Sequence, residues 1–238
     1  MLLPAVQMVR EAARRTSCLN NVRQAVLSLH NYESALQHYP PSFELGQGST
    51  ATYNGSWSIQ AQLLPYCDQA NAYNMIDFDQ AWSDPANVAT GVPVLRVPMY
   101  ICPSEVHDTV RIKNGGPFVH PHNYGFNFGT WLVYDPRTQQ GGDGSFFVNS
   151  RLRPTDFRDG LSKTLCAAEV KAFTPYFRNT GDPGPVVPSL ASELAAFASG
   201  AQFKLGPDTN DNTGHTEWPD GRVHHSGITT AFTPNSEV

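Results

Sequence analysis

The densest run of oxygen ligands in the chain is DTNDNTGHTEWPD, residues 208–220. Asp208, Asn210 and Asn212 occupy the first three ligand positions of a calcium loop, and Asp211 and Glu217 lie close by. A hard cation collects several such oxygens, so these five residues form a candidate calcium site. The segment is not an EF-hand, because Thr213 stands where glycine is required and Pro219 where a bidentate glutamate is. An Asn/Asp turn that satisfies its own backbone explains the same composition and is the favoured reading.

Histidines offer a second chemistry. His120, His122, His215, His224 and His225 would suit zinc if three or four met, and a strand places His120 and His122 on one side. Nothing in the sequence links the 120s to the 220s, and no acid is placed as an obvious general base. A metal-dependent hydrolase rests on these histidines alone, and surface or packed imidazoles are the simpler account. Nucleophilic catalysis has no G-x-S-x-G, and Ser104 has no recognisable partner. Gly141-Gly142-Asp143-Gly144 lacks the lysine and hydroxyl of a phosphate loop and reads as a hairpin turn. Tyr53, Trp57, Trp82, Trp131 and Trp218 suit either a core or a solute- or glycan-binding face. No catalytic residue emerges, and the expectation is a protein that is not an enzyme.

Cys18, Cys67, Cys102 and Cys166 are widely spaced, without a CxxC pair. Two disulfides, in any of three pairings, or four buried thiols are the readings left open. Disulfides would imply an oxidising compartment.

These residues need elements to position them. From Ala5 to about Gln37, Val9, Ala12, Ala13, Leu19, Val22, Val26, Leu29 and Leu36 recur at spacings of three and four, which predicts one helix with an apolar face. It would be about 45 Å long and would overhang the body it packs on. Pro40 and Pro41 end it. Residues 56–78 predict a shorter helix broken at Pro65, residues 92–104 an edge strand, and residues 122–135 and 144–150 strands of one antiparallel sheet. Residues 164–170 and 221–235 read as further strands, and residues 189–200 as a short amphipathic helix or an insertion. The predicted fold class is α+β, a single domain over 1–238 in which helix 1–38 packs on a loop-rich body, 39–238.

The 238 residues are enough to bury a sizeable core, and neither size nor composition demands a staple or a metal; 19 Gly with 19 Pro favour short elements and many turns. Net charge is −5, yet residues 1–38 are positive through Arg10, Arg14, Arg15 and Arg23. The acidic remainder argues against a nucleic-acid partner. No stretch of about 18 apolar residues is present, so the chain as it stands reads as soluble.

The stretch LLPAVQMVREAARRTSCLNNVRQAVLSLHNYESALQHYPPSF resembles, nearly residue by residue, the start of the DUF1559 proteins, a large planctomycete family of unknown function. Further similarity lies at WSIQAQLLPYCDQANAYN, at Tyr100 to Ser104, at Asp159 to Thr164, and at Asp220-Gly221-Arg222-Val223-His224. One departure is the position of His215, five residues before Asp220 where the family places a histidine about ten before.

The resemblance implies a type IV pilin-like or pseudopilin-like arrangement, with a long N-terminal helix lying across an antiparallel sheet. It also implies a prepilin-type cleavage and methylation motif and an apolar membrane helix upstream of Leu2. The expected protein is therefore structural or secretion-associated, anchored in the inner membrane with its body extracytoplasmic or at the cell surface. Its expected partners are the membrane and pilin or secretion-system subunits, with Arg10, Arg14 and Arg15 as an interfacial collar. Some pseudopilins carry a calcium loop near the C-terminus, which adds weight to residues 208–217. A cell-surface solute- or glycan-binding module is the alternative.

Overall fold

The computed structural model describes residues 2–45, 56–135, 138, 140–178, 180–200, 202–204, 214–234 and 236. Tyr53 and four of the five calcium candidates, Asp208, Asn210, Asp211 and Asn212, lie outside them.

Helix α1, Leu2–Leu36, dominates the chain. Its only proline is in the first turn, where no intrahelical donor is lost, and it contains no glycine. It ends as Gln37 enters the left-handed region at φ 64° and its amide closes on Glu33 O. The buried stripe is shorter than the apolar periodicity suggests. Cys18, Ala25, Ser28, Leu29 and Tyr32 are buried, whereas Val9, Leu19 and Leu36 are exposed and every residue from 4 to 10 faces solvent. Periodicity reports which face is apolar but not how far the body reaches along it.

From Ile59 to Ala89 the chain advances in single turns. These are α2, Ile59–Gln62, a 3-10 turn at Leu64–Tyr66, α3, Ala70–Tyr73, and α4, Pro85–Ala89. Ser58 caps α2 by accepting from Ala61 N, and Asp84 caps α4 by accepting from Ala86 N. Residues 92–104 do not form the expected edge strand. Pro93 and Pro98 instead start 3-10 turns at Val92–Val94 and Pro98–Tyr100, because a fixed φ and a missing donor suit the start of a helical turn.

The strands are short and spread over several small sheets. β1, Arg111–Lys113, pairs with β2, Gly116–Val119. β3, Tyr124–Asn127, is the central strand of the only three-stranded sheet among the described residues. β4, Tyr134–Asp135, pairs with β5, Gln140–Gly141. β6, Ala167–Glu169, runs antiparallel to β3, and β7, Tyr176–Arg178, pairs with β8, Gln202–Lys204. Residues 221–235 open with a helical turn, α5, Val223–Ser226, and only then give β9, Gly227–Ile228, which runs parallel to β3. Residues 144–150 pack as a turn-rich loop, and Ala191–Ala198 is a 3-10 helix.

The architecture is thus α+β, but not one antiparallel sheet. Trp218, Tyr100, Phe126, Phe128, Ile59 and Leu64 are fully buried and gather segments from across the chain into one core, onto which Ala25 and Leu29 of α1 pack. Burying each such side chain contributes roughly 1.5–3 kcal/mol.

A single disulfide joins helix to body. Cys18 and Cys102, 84 residues apart, are bonded, while Cys67 and Cys166 are free thiols. Neither two bridges nor four thiols describes the chain. Cys67 and Cys166 are partly buried against the main core, and burial pushes both thiols up to about 11. Asn21 donates to Ile101 O at 2.8 Å and Tyr124 donates to Cys18 O at 3.3 Å, so the bridge sits inside a small hydrogen-bonded contact.

Candidate functional site

A buried cluster of charged and titratable side chains lies where residues 215–226 enter the body. Backbone pairing fixes the entry: Ser58 N donates to Pro219 O and Gly221 N to Ser56 O, both at 2.9 Å. Trp218 fills the centre and donates its indole N–H to Leu95 O at 3.0 Å. Gly221 is required here, since a Cβ would stand 2.7 Å from Phe43 Cβ.

On this frame Asp220 accepts from the backbone N of Arg222 at 2.9 Å, from its guanidinium at 2.7–3.1 Å, and from Trp82 Nε1 at 3.1 Å. Both carboxylate oxygens are therefore engaged, which offsets the cost of burying the charge. Glu217 is buried against the Arg111 guanidinium delivered by β1. Burial and then the neighbouring Asp220 push the Glu217 carboxyl up to about 7, against the pull of Arg111.

Two imidazoles complete the cluster, and burial lowers the pKa of both. His122 donates from Nε2 to His225 O at 2.6 Å while its Nδ1 accepts from Tyr124 N at 3.2 Å. A second ring proton would face a donor, and burial pushes the pKa down to about 4. His225 directs Nδ1 at His215 O at 3.3 Å and Nε2 at Glu217, 3.8 Å away. Burial likewise takes it down to about 4, although Asp220 pulls it up. Tertiary folding thus joins the histidines of the 120s to those of the 220s, largely through backbone carbonyls. His120 belongs to another pair, 3.5 Å from Asp108, and the two histidines do not share a strand face.

The donor set does not fit a metal. One ligand atom each from Glu217, Asp220 and His225 lies within 4.8 Å of the others, but Arg111 and Arg222 already supply the positive charge and occupy carboxylate oxygens. A cation there would meet two guanidiniums. Glu217, the one described calcium candidate, is committed to this buried pair rather than to a loop ligand set. Among the described residues the other three-ligand group, Cys18, Cys102 and Glu169, has its sulfurs joined in the disulfide.

The other sequence candidates also find structural roles. Trp57, Trp82 and Trp218 are core residues, and Trp131 donates to Gly184 O at 3.0 Å. The glycines around Asp143 allow close backbone contact: a Cβ on Gly144 would lie 2.2 Å from Gly129 N, and Asp143 accepts from Thr130 N and Oγ1. Ser104 donates to a carboxylate, Glu11 at 3.3 Å, and not to an imidazole among the described residues. Sequence reasoning missed Arg111 and Arg222 as the partners of the acidic residues, and missed the exposed stacked pair Phe177 and Phe203 on β7 and β8. Only Arg222, two residues from Asp220, left a local signal.

The family model described as a protein of unknown function, DUF1559 (SBP_bac_10), matches residues 7–237. The chain belongs to the DUF1559 family. No curated protein and no solved structure matches it. In this DUF1559 protein the segments that carry the family resemblance are the segments that tie the fold together. Cys102 bridges to α1, Gly160 makes a turn at φ 91°, and Asp220 to Arg222 locks the last segment against Trp82 and Phe43.

Proposed function

We propose that this DUF1559 protein is an extracytoplasmic, pseudopilin-like structural or secretion-associated protein in which α1 is the anchoring and assembly element. The observation that carries the reading is the half-covered helix: α1 is 35 residues long, and residues 4–10 are exposed, among them Val6, Met8 and Val9. Exposed apolar side chains on an unsupported helical end are stabilised by packing against a neighbour or lipid. The Cys18–Cys102 disulfide supports an oxidising compartment. Packing of the other half of α1 against β6, in the sheet with β3, supports the pilin-like arrangement. No helix among the described residues is long and apolar enough to cross a membrane, so the anchor in this reading is the apolar segment implied by the family resemblance.

The test uses the protein expressed from its whole gene. Recovery in the membrane fraction, release by detergent and formation of the Cys18–Cys102 bridge are expected. Recovery as reduced protein in the cytoplasmic fraction overturns the reading. Val9→Cys adds an assembly readout, with disulfide-linked dimers expected under mild oxidation and none from a Cys substitution at the body residue Lys163.

A further inference from the structure

A cavity of about 90 Å³ opens between the C-terminal half of α1 and the loops of residues 145–166. Val26 and Leu29 of α1 face Phe146 and Phe157 across it, and exposed His30 and Leu161 stand at its rim. The cavity is large enough for water, but bound water needs two to four polar partners, and these walls are mostly hydrocarbon. Two wall hydroxyls are already committed: Ser145 donates to Leu165 O at 3.2 Å and Thr164 to Gly160 O at 3.3 Å.

Tyr39 is the exception. It is 5% exposed, lines the cavity, and its hydroxyl has no hydrogen-bond partner among the described residues. A buried hydroxyl left without a partner is destabilising. Tyr39 and Cys166 both line the cavity, and burial, then Glu33, then Cys166 hold the phenol proton on. Cys166 itself keeps its proton, since burial pushes the thiol up to about 11, so it is a poor nucleophile and a passive part of the wall.

We propose that this cavity is a binding site for a small, uncharged molecule with an apolar body of roughly one ring or a four-carbon chain and a single hydrogen-bonding group, held noncovalently with that group on the Tyr39 hydroxyl. A charged ligand is disfavoured, because the lining holds no aspartate, glutamate, lysine or arginine to pair with it. Size is consistent: an apolar cavity of about 150 Å³ holds benzene, and this smaller one is open at the His30–Leu161 rim, so part of the ligand remains in the mouth. The site is independent of the anchoring role of α1, although a bound molecule would bridge α1 to the body.

The experiment uses the Cys67→Ala protein, in which Cys166 is the one thiol outside the disulfide, and phenol and benzene as probes. Phenol is expected to slow N-ethylmaleimide labelling of Cys166 at least fivefold at saturation and to shift the methyl resonances of Val26 and Leu29. Phenol is expected to bind about fivefold more tightly than benzene, and Tyr39→Phe to abolish that preference while leaving benzene unchanged. Unaltered labelling and unshifted methyl resonances overturn the site. Equal affinity for phenol and benzene in the unsubstituted Tyr39 protein overturns the role given to the hydroxyl.

Discussion

At the residue scale, the buried imidazoles make stability depend on pH in a definite direction. His122 and His225 fall from 6.5 to about 4 in the folded protein. Their contribution is complete above pH 6.5 and is lost as pH falls through 4, because the unfolded chain takes up protons first. Each contributes on the order of 3 kcal/mol, the free energy of a proton affinity lowered between about a hundredfold and a thousandfold. Glu217, pushed from 4.5 to about 7, acts in the opposite sense between those values and offsets roughly one histidine. The urea midpoint is therefore expected to fall between pH 6.5 and 4, and His122→Gln is expected to flatten the slope. A midpoint flat across that window would contradict the neutral-imidazole arrangement.

The element scale is governed by α1. Its apolar positions look equivalent in the sequence, but Leu29 is 1% exposed and Val9 is 69% exposed. Leu29→Ala removes side-chain volume beside the cavity wall and the core, with an expected cost of about 2–5 kcal/mol. Val9→Ala is expected to change stability by less than about 0.5 kcal/mol. Chemical denaturation of the two variants separates these outcomes, and equal costs would mean that the helix is covered along its whole length. Surface exposure at Val9 in the isolated protein is the same feature on which the assembly reading rests, so a neutral Val9→Ala in dilute solution and a Val9 contact in an assembly are compatible.

At the scale of the whole molecule, the C-terminal segment is an interior component. Trp218 and Asp220 are fully buried, Pro219 O receives Ser58 N, and β9 completes the sheet beside β3. A chain ending at residue 213 is expected to lose its tertiary structure, read as collapse of near-ultraviolet circular dichroism and of methyl dispersion. Retention of both signals would show that residues 2–213 hold the core without Trp218. Such long-range closure is expected to slow folding, because loop-closure entropy is lost before the distant contacts form.

The long helix, the α+β class and the family resemblance were legible in the sequence, because they rest on local periodicity and on runs of matching residues; the helix end was not set by Pro40 and Pro41, since it closes at Leu36 with Gln37 in the left-handed region. Short elements were not. Val92 to Ser104 and residues 221–235 carry apolar alternation that suits a strand, but the first holds two proline-started 3-10 turns and the second opens with a helical turn at Val223–Ser226 beside the Asp220–Arg222 lock. Cysteine pairing depended on which segment reached Cys18 in space, and the distance between Cys18 and Cys102 along the chain gave no hint of it. The acidic residues and histidines advertised a metal; only the tertiary structure brought Arg111 across 106 residues to Glu217, filling with a guanidinium the charge that a cation would have supplied. Sequence by itself determined what can happen within a few turns of chain. The partners of buried charges and the extent of helix covered by the body were decided by long-range packing, which no local spacing encodes.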